Sequence, residues 1–476
     1  MGRSIEARMS ARAGGGKPRR ERSSMKLREV EQKLAEAGIE KVKIGGFDVD
    51  GILRGKYVSL DKFLRAADKG LGFCDVIFGW DSADLLYDRS VVTGWHTGYP
   101  DTLAKIDLDT LRIVPWEPKT ACFLLDFFSD EATPHPASPR GLLKTVAARA
   151  EAAGYAVLAS CEYEFFVFRE TPQTLHAKDF RDLTTLTPGM FGYSWLRESY
   201  ASDFVHDLLD RLKAFDIEIE GFHTETGPGV WEAAIAYDEL VRAADKAALF
   251  KTAVKEIAHR HGYTATFMAK WNASLPGCGG HMHQSLWSAD RERSLFAGGG
   301  PGPGGVADAL RHYVGGVLAT LPDLAALYAP TINSYKRLGH ARMWAPSMAT
   351  WGVENRTTAV RVIPGPGNAA RVEARQCAAD LNPYLALAGC VASGLHGVAQ
   401  RTEPPPIVEG EPGDDAGAPL PTSLPEATAR MARSESAREL LGGAFVDHYV
   451  MTRDWESRQF RRAVTDWELR RYFESA

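Results

Sequence analysis

The stretch Cys161–Phe168, CEYEFFVF, constrains the fold more than any other. Two glutamates, Glu162 and Glu164, stand at alternate positions of a run that is otherwise apolar and aromatic. In an extended chain residues i and i+2 share a face, so both carboxylates leave the strand on one side, roughly 6–7 Å apart. Alternating glutamates also mark the wet face of an exposed strand. Here Phe166 and Phe168 continue the glutamate face, which makes a purely solvated face a poor fit. Like charges held this close call for a cation, so the pair points to a metal or an acid/base site.

Composition sets the outer limits. At 476 residues and 45% hydrophobic content the chain has room for one large domain plus a smaller one. No apolar run reaches the roughly 18 residues that a membrane span needs. A net charge of -5 argues against a general nucleic-acid binder. The six cysteines lack CxxC spacing, which argues against a disulfide framework or zinc site and for a cytoplasmic, reducing setting. Residues 1–24, rich in Arg, Gly and Ser without an apolar core, are expected to form a disordered basic tail rather than a secretory signal.

Beyond the tail, MKLREVEQKLAEAGIEKVKIGGFDVDG reads as a helix followed by a strand, and strand-like stretches continue to ACFLLDFF at 121–128. The Pro-rich SDEATPHPASPR (129–140) is expected to be a linker, separating a domain over 25–130 from one over 136–476. In the second, helical patterns near 141–153, 203–214, 237–260 and 305–327 alternate with short strands, an α+β arrangement. Residues 401–423 read as a long surface loop.

Three further polar clusters accompany the glutamate pair. In FHTETGPGVWEAAI a Gly-Pro-Gly turn separates Glu225 from Glu232 and can fold both carboxylates toward one point. In GGHMHQSL, His281 and His283 share the i, i+2 strand geometry; a ligand pair and a structural pair fit equally well. Between 337 and 375 stand Arg337, Arg342, Arg356, Arg361, Arg371 and Arg375, and RVEAR places Glu373 on one strand face with its two flanking arginines. That face is costly unless anionic ligands and cations neutralise it. Carboxylates and a histidine for divalent cations, with guanidiniums for carboxylate or phosphate, are what phosphoryl transfer requires. A glycosidase has no need of the arginines, and no Walker loop is present.

In order and spacing, CEYEFFVF, HTETGPGVWE, GGHMHQSL, NSYKRL, NRTTAVRV, RVEAR and NPYLALA resemble the successive signature segments of the glutamine synthetase family, from about Lys26 to the C-terminus. The resemblance implies a small N-terminal β-grasp domain and a large catalytic domain with a curved antiparallel sheet flanked by helices. It implies a homo-oligomer, typically a dodecamer of two hexameric rings, with active sites between subunits. It also implies ATP and two or more divalent cations, Mg²⁺ or Mn²⁺. By position, one metal falls to Glu164, Glu225 and Glu232 and the second to Glu162, His281 and Glu373. Arg337, Arg375 and Gly277 match positions that hold glutamate, with Arg337 and Arg356 also matching catalytic ones. Arg356, Arg361 and Arg371 match arginines on the ATP phosphates, and His223, His283 and Ser285 match nucleotide contacts. The implied reaction passes through a γ-glutamyl phosphate that an amine then displaces.

The departures concern the amine. Where the family carries a glutamate before an Ala-Pro pair, GHARMWAPS has Trp344, which cannot take a proton but offers an apolar and cation–π surface to an organic amine. Val230 and Pro276 replace a glutamine and an asparagine beside the amino-acid site. In FGWDSADLLYD, Asp81 or Asp84 matches the region where ammonia-using members send an aspartate into the neighbouring subunit. The expectation is therefore an ATP-dependent γ-glutamyl–amine ligase, an organic amine or polyamine being the acceptor. Ammonia-using glutamine synthesis, a non-catalytic structural homologue and a ligase of a different acid are the alternatives; the homologue is disfavoured because all six metal positions are retained.

Overall fold

The structure, a computed structural model, describes residues 26–300, 302–338, 344–413 and 415–476. The expected tail at 1–24 and Arg342 lie outside the described residues.

The N-terminal part is a mixed five-stranded sheet covered by two helices. Its elements are α1 (Leu27–Glu36), β1 (Lys41–Phe47), β2 (Leu53–Ser59), α2 (Leu60–Lys69), β3 (Leu71–Cys74), β4 (Asp101–Ile113) and β5 (Thr120–Phe128). The strand order is β2-β1-β5-β4-β3, with β1 and β5 parallel and the other pairs antiparallel. α1 buries Val30 and Leu34, an i, i+4 pair on one helix face. α2 starts at Ser59, whose side chain accepts from the Lys62 N–H, and buries Phe63 against Phe123 at 4.5 Å between ring centroids.

The anticipated linker is shorter than its proline content suggests. Ser138 accepts from the Gly141 N–H at 3.2 Å and caps α3 (Pro139–Ala152), so residues 139–140 form the first turn of a helix. A proline fits there because the first turn leaves its N–H without an intrahelical partner.

The second part is a curled nine-stranded sheet flanked by helices. Its central strands are β6 (Tyr155–Phe168), β7 (Ile219–Thr224), β8 (Val230–Ile235), β9 (Gly280–Ser288), β10 (Val360–Ile363) and β11 (Arg371–Ala374), in the antiparallel order β10-β11-β9-β6-β8-β7. The short strands Trp351–Val353, Thr264–Thr266 and Asp238–Glu239 complete it. Behind the sheet lie α4 (Leu240–Arg260), α5 (Asp308–Tyr328) and α7 (Pro383–Gln400), with the one-turn α6 (Ser334–Leu338) at the cleft and α8 (Gly443–Arg462) and α9 (Asp466–Tyr472) closing the chain. The loop at 401–423 contains a two-residue strand, Ala418–Pro419, paired with Met348–Ala349.

β6 settles the opening ambiguity. Val157, Ala159, Cys161, Tyr163 and Phe165 are buried on the face toward the helices, while Glu162 and Glu164 are half-buried on the other. Tyr163, Phe165, Phe250 of α4 and Phe267 form an aromatic cluster with centroids 5.3–6.1 Å apart, which anchors the strand from behind.

A carboxylate, histidine and arginine cleft

The strand register lines the polar side chains up across the sheet. His281 lies opposite Glu162, Glu373 opposite both His283 and Arg361, and Glu232 opposite both Glu164 and His223. Directly opposed residues bring their side chains together. The result is a cleft of about 730 Å³ whose walls hold five glutamates, three histidines and five arginines. A site with both signs in such number can hold cations and anions together.

Two groups have donor atoms close enough to share an ion. In Glu162, His281 and Glu373, one ligand atom from each lies within 4.8 Å of the others, as it does in His223, Glu225 and Glu232. Within the first, His281 Nδ1 is 3.2 Å from Glu162 and 3.3 Å from Glu373, and His283 Nε2 is 3.5 Å from Glu162. Burial works to raise Glu162, but hydrogen bonding with His281 and His283 outweighs it and holds the carboxyl well below its usual range. Glu373, 1% exposed, also pairs with Arg375 and, at 3.1 Å, with Arg361.

The second group behaves differently. Burial pushes Glu232 up to about 8 despite its 3.3 Å contact with His223, the charges of Glu162 and Glu164 adding to the effect. Burial also raises Glu225, again with Glu164 contributing. Oxygen-rich donor sets with one histidine suit divalent ions such as Mg²⁺ or Mn²⁺. The residues present therefore fit a metal pair.

Glu164, expected with Glu225 and Glu232, has Oε2 accepting from the Gly279 N–H at 2.7 Å, and His223, expected at nucleotide, has a ring nitrogen within 4.8 Å of carboxylate oxygens of Glu225 and Glu232. Glu164 still lines the cleft and is close enough to act on both glutamates. The Gly-Pro-Gly turn performs as expected: Gly229 adopts φ +70°, and a Cβ there would sit 2.7 Å from the Val167 carbonyl.

All five described arginines of the 337–375 cluster line the cleft. Arg337 is one of two that are buried, with Arg375. Burial lowers its pKa, and its Nη1 has no hydrogen-bond partner among the described residues, so an anionic ligand is its natural complement. Gly277 lies against it; a Cβ there would come 3.1 Å from Arg337 Cγ and 2.4 Å from the Ala269 carbonyl. Arg375 Nε donates to the Arg356 carbonyl at 3.0 Å, Arg361 pairs with Glu354 as well as Glu373, and Arg371 Nε is 3.4 Å from His283 Nδ1. Trp344, 70% exposed, lines the cleft with Val230, Pro276 and Ala345.

Ser285 does not line this cleft. Its hydroxyl accepts from Trp287 Nε1 at 2.9 Å, and it borders an adjoining cavity of about 260 Å³ with Leu158, Tyr237, Trp287 and Ala369. The two cavities share Glu162, His283 and Arg371. Asp81, expected to reach into a neighbouring subunit, does not line its own chain's cleft. Its Oδ1 accepts from the Ala83 and Leu85 N–H groups and its Oδ2 from Trp455 Nε1 at 2.8 Å, a loop-stitching role within its own chain. Asp84, by contrast, is exposed and paired with Arg54. One cleft residue had no sequence signal: Tyr193, at φ +53°, stacks on His223 at 4.1 Å and lines the cleft. It lies in an irregular stretch, where no hydrophobic period marks a residue's direction.

Fold and cleft together define an α+β enzyme whose cleft sets carboxylates and histidines beside arginines. Residues 136–472 match the model of the glutamine synthetase catalytic domain, and the chain belongs to the glutamine synthetase family, whose members are ATP-dependent carbon–nitrogen ligases. A type-1 glutamine synthetase 2 of Dictyostelium discoideum is 46% identical over 439 residues, 91% of this chain and 83% of the relative. A glutamate–isopropylamine ligase of a Pseudomonas species is 36% identical over 458 residues, covering 95% and 99%. A gamma-glutamylethanolamide synthetase of Streptomyces coelicolor is 35% identical over 449 residues, covering 94% and 96%. Among solved structures, the ADP complex of a protein named GmaS superposes with a TM-score of 0.81 at 28% identity, covering 93% of this chain and 99% of that one.

Proposed function

We propose that this enzyme joins the γ-carboxylate of glutamate to an organic amine, using ATP to form a γ-glutamyl phosphate that the amine displaces. The observation carrying this reading is Trp344, which with Val230, Pro276 and Ala345 adds apolar lining to the cleft that also holds Arg337 and Arg375. Such a lining favours an alkyl or aryl amine over ammonium, which needs a carboxylate partner. The relatives named as a glutamate–isopropylamine ligase and a gamma-glutamylethanolamide synthetase support it. The 46% identical relative named a glutamine synthetase favours ammonia instead, as a second reading.

In this reading Arg337 and Arg375 hold the carboxylates of glutamate, and Gly277 leaves room for the chain to approach. The nucleoside would occupy the cavity of Leu158, Tyr237, Ser285 and Trp287, its phosphates meeting His283 and Arg371, which line both cavities, and Arg361 of the cleft. Glu162, His281 and Glu373 would hold one divalent ion, and Glu225 and Glu232, with Glu164 or His223, the other. When bound, these ions neutralise phosphate charge. Arg356, exposed at the rim, and Arg361 complement charge that develops on the transferred phosphoryl group. The enzyme works as a ring-built homo-oligomer, which analytical ultracentrifugation checks directly.

The deciding experiment is phosphate release from ATP with L-glutamate, Mg²⁺ or Mn²⁺, and ammonia, short alkylamines, putrescine, ethanolamine or aniline. An organic amine stimulating release well above ammonia is the expected result; ammonia dominating would transfer the assignment to glutamine synthesis.

A further inference from the structure

Arg453 stands outside the cleft, on α8, and is 4% exposed. A buried guanidinium needs its donors matched, and here the partners come from three parts of the chain. Nη2 pairs with Asp50 in the turn between β1 and β2, Nη1 donates to the Pro330 carbonyl at 2.8 Å, and Nε donates to Thr452 Oγ1 at 3.1 Å. Its face lies over Tyr449, 5.1 Å from the ring centroid.

Pro330 precedes the segment that sets α6. The hydroxyls of Thr331 and Ser334 both donate to Asp380, at 2.7 and 2.9 Å, and Asn333 exchanges two 2.8 Å hydrogen bonds with the Lys270 backbone. One turn on, α6 presents Arg337 to the cleft. The same N-terminal turn grips a second segment: Asn382 Nδ2 donates to the Asp48 and Val49 carbonyls at 3.0 and 3.3 Å. Asn382 and Asp380 lie in the stretch joining Arg375 to α7, and Lys251 Nζ holds that stretch by donating to the Ala379 and Leu381 carbonyls. One turn of the N-terminal sheet is thus bonded to the segments that carry both deep arginines of the cleft.

We infer that Arg453 is a positioning residue, which ties the seating of the N-terminal turn at Asp50 to the placement of Arg337 and so to binding of the acid substrate. This rests on the assignment of Arg337 to the glutamate carboxylates. Arg453 touches no substrate; it acts through the Pro330 carbonyl, and a small displacement of α6 is enough to spoil a carboxylate contact.

The test uses the full chain. Thermal midpoints and steady-state kinetics are measured for Arg453→Met, Arg453→Lys, Asp50→Asn and Arg337→Lys. Arg453→Met is expected to raise the KM for L-glutamate about ten-fold while the KM for ATP stays within about two-fold. Arg453→Lys and Asp50→Asn should move the same way by less. Folded variants whose two KM values are both unchanged, or rise together, would overturn the inference and leave Arg453 a stability residue. If Arg453→Met does not fold, Asp50→Asn decides by the same split. Arg337→Lys separates the levels: an unchanged glutamate KM there removes the underlying assignment, whereas a raised one with Arg453 and Asp50 variants unaffected removes this inference alone.

Discussion

Glu373 faces His281, Arg361 and Arg375 at once, and its carboxyl is held below the usual range because interactions with His281, His283 and Arg375 outweigh the burial that opposes them. In the proposed site it also serves as a metal ligand. Glu373→Ala removes a ligand and leaves Arg375 without its carboxylate partner, while Arg361 keeps Glu354. Turnover with every amine should fall by more than the roughly 10–100-fold typical of losing a residue behind a ligand. Phosphate release assays check this, and activity within a few-fold of the parent would break the site assignment. Trp344 tests the other half of the cleft. Trp344→Glu introduces the carboxylate that a small cation needs, so the ratio of ammonia use to amine use should rise. Competition between ammonia and the preferred amine reads that ratio; no change would mean that this side chain does not choose the acceptor.

At the scale of elements, the site's legibility follows from strand periodicity. Glu162 and Glu164, His281 and His283, and Arg371 and Glu373 each lie two apart, so their shared faces were readable before any partner strand was known. Which strand lies beside which is a property of register, and that is why Glu373 meeting His283 and Arg361 could not be read from spacing. Turns and loops were less legible. The aspartate pair of FGWDSADLLYD looked alike in sequence, but the loop turns Asp81 inward onto Trp455 and leaves Asp84 outside. Helix contacts across domains were equally silent. Arg140, in the first turn of α3, is 4% exposed and pairs with Asp245 of α4 through two bonds of 2.8 and 2.9 Å, with Asp126 of β5 at 2.6 Å and with Asp107 of β4 at 2.9 Å. Arg140→Met fills the space but takes the guanidinium from three carboxylates, one of them, Asp245, almost wholly buried and left with the Tyr384 hydroxyl at 2.6 Å. Lys144 reaches only Asp107 and Asp126. A loss of about 3–5 kcal/mol is expected from removing one partner of such a buried network. Urea unfolding measures it, and a loss under about 1 kcal/mol would show that the network is no more than surface-like.

For the whole molecule, the junction between the N-terminal sheet and α8 is where acid should act first. His448, fully buried in α8, has no partner at either ring nitrogen among the described residues; burial, helped by the charge of Arg453 and by His135 once protonated, pushes its pKa down to about 3. His135 stacks on Phe78 at 4.4 Å, and burial lowers it to about 4. Tyr87, from the loop that also carries Asp81, sits edge-on to both His448 and Trp455. Both histidines fold as neutral rings. In the unfolded chain they titrate near an ordinary value of about 6.5, so between that pH and 4 the unfolded state holds more protons than the folded one. Stability should be unaffected by these groups above about pH 7 and fall as the pH drops through 6.5 toward 4, each group contributing a slope of up to about 1.4 kcal/mol per pH unit. Carboxylates add their own slopes, so the histidine share is read from a difference: His448→Leu should flatten the fall in urea-unfolding free energy between pH 6.5 and 4 relative to the parent. Parallel curves for the two proteins would mean that His448 is not held neutral. A flattened curve would place acid sensitivity at the joint where Arg453, Trp455 and Arg458 tie the N-terminal domain to the catalytic one.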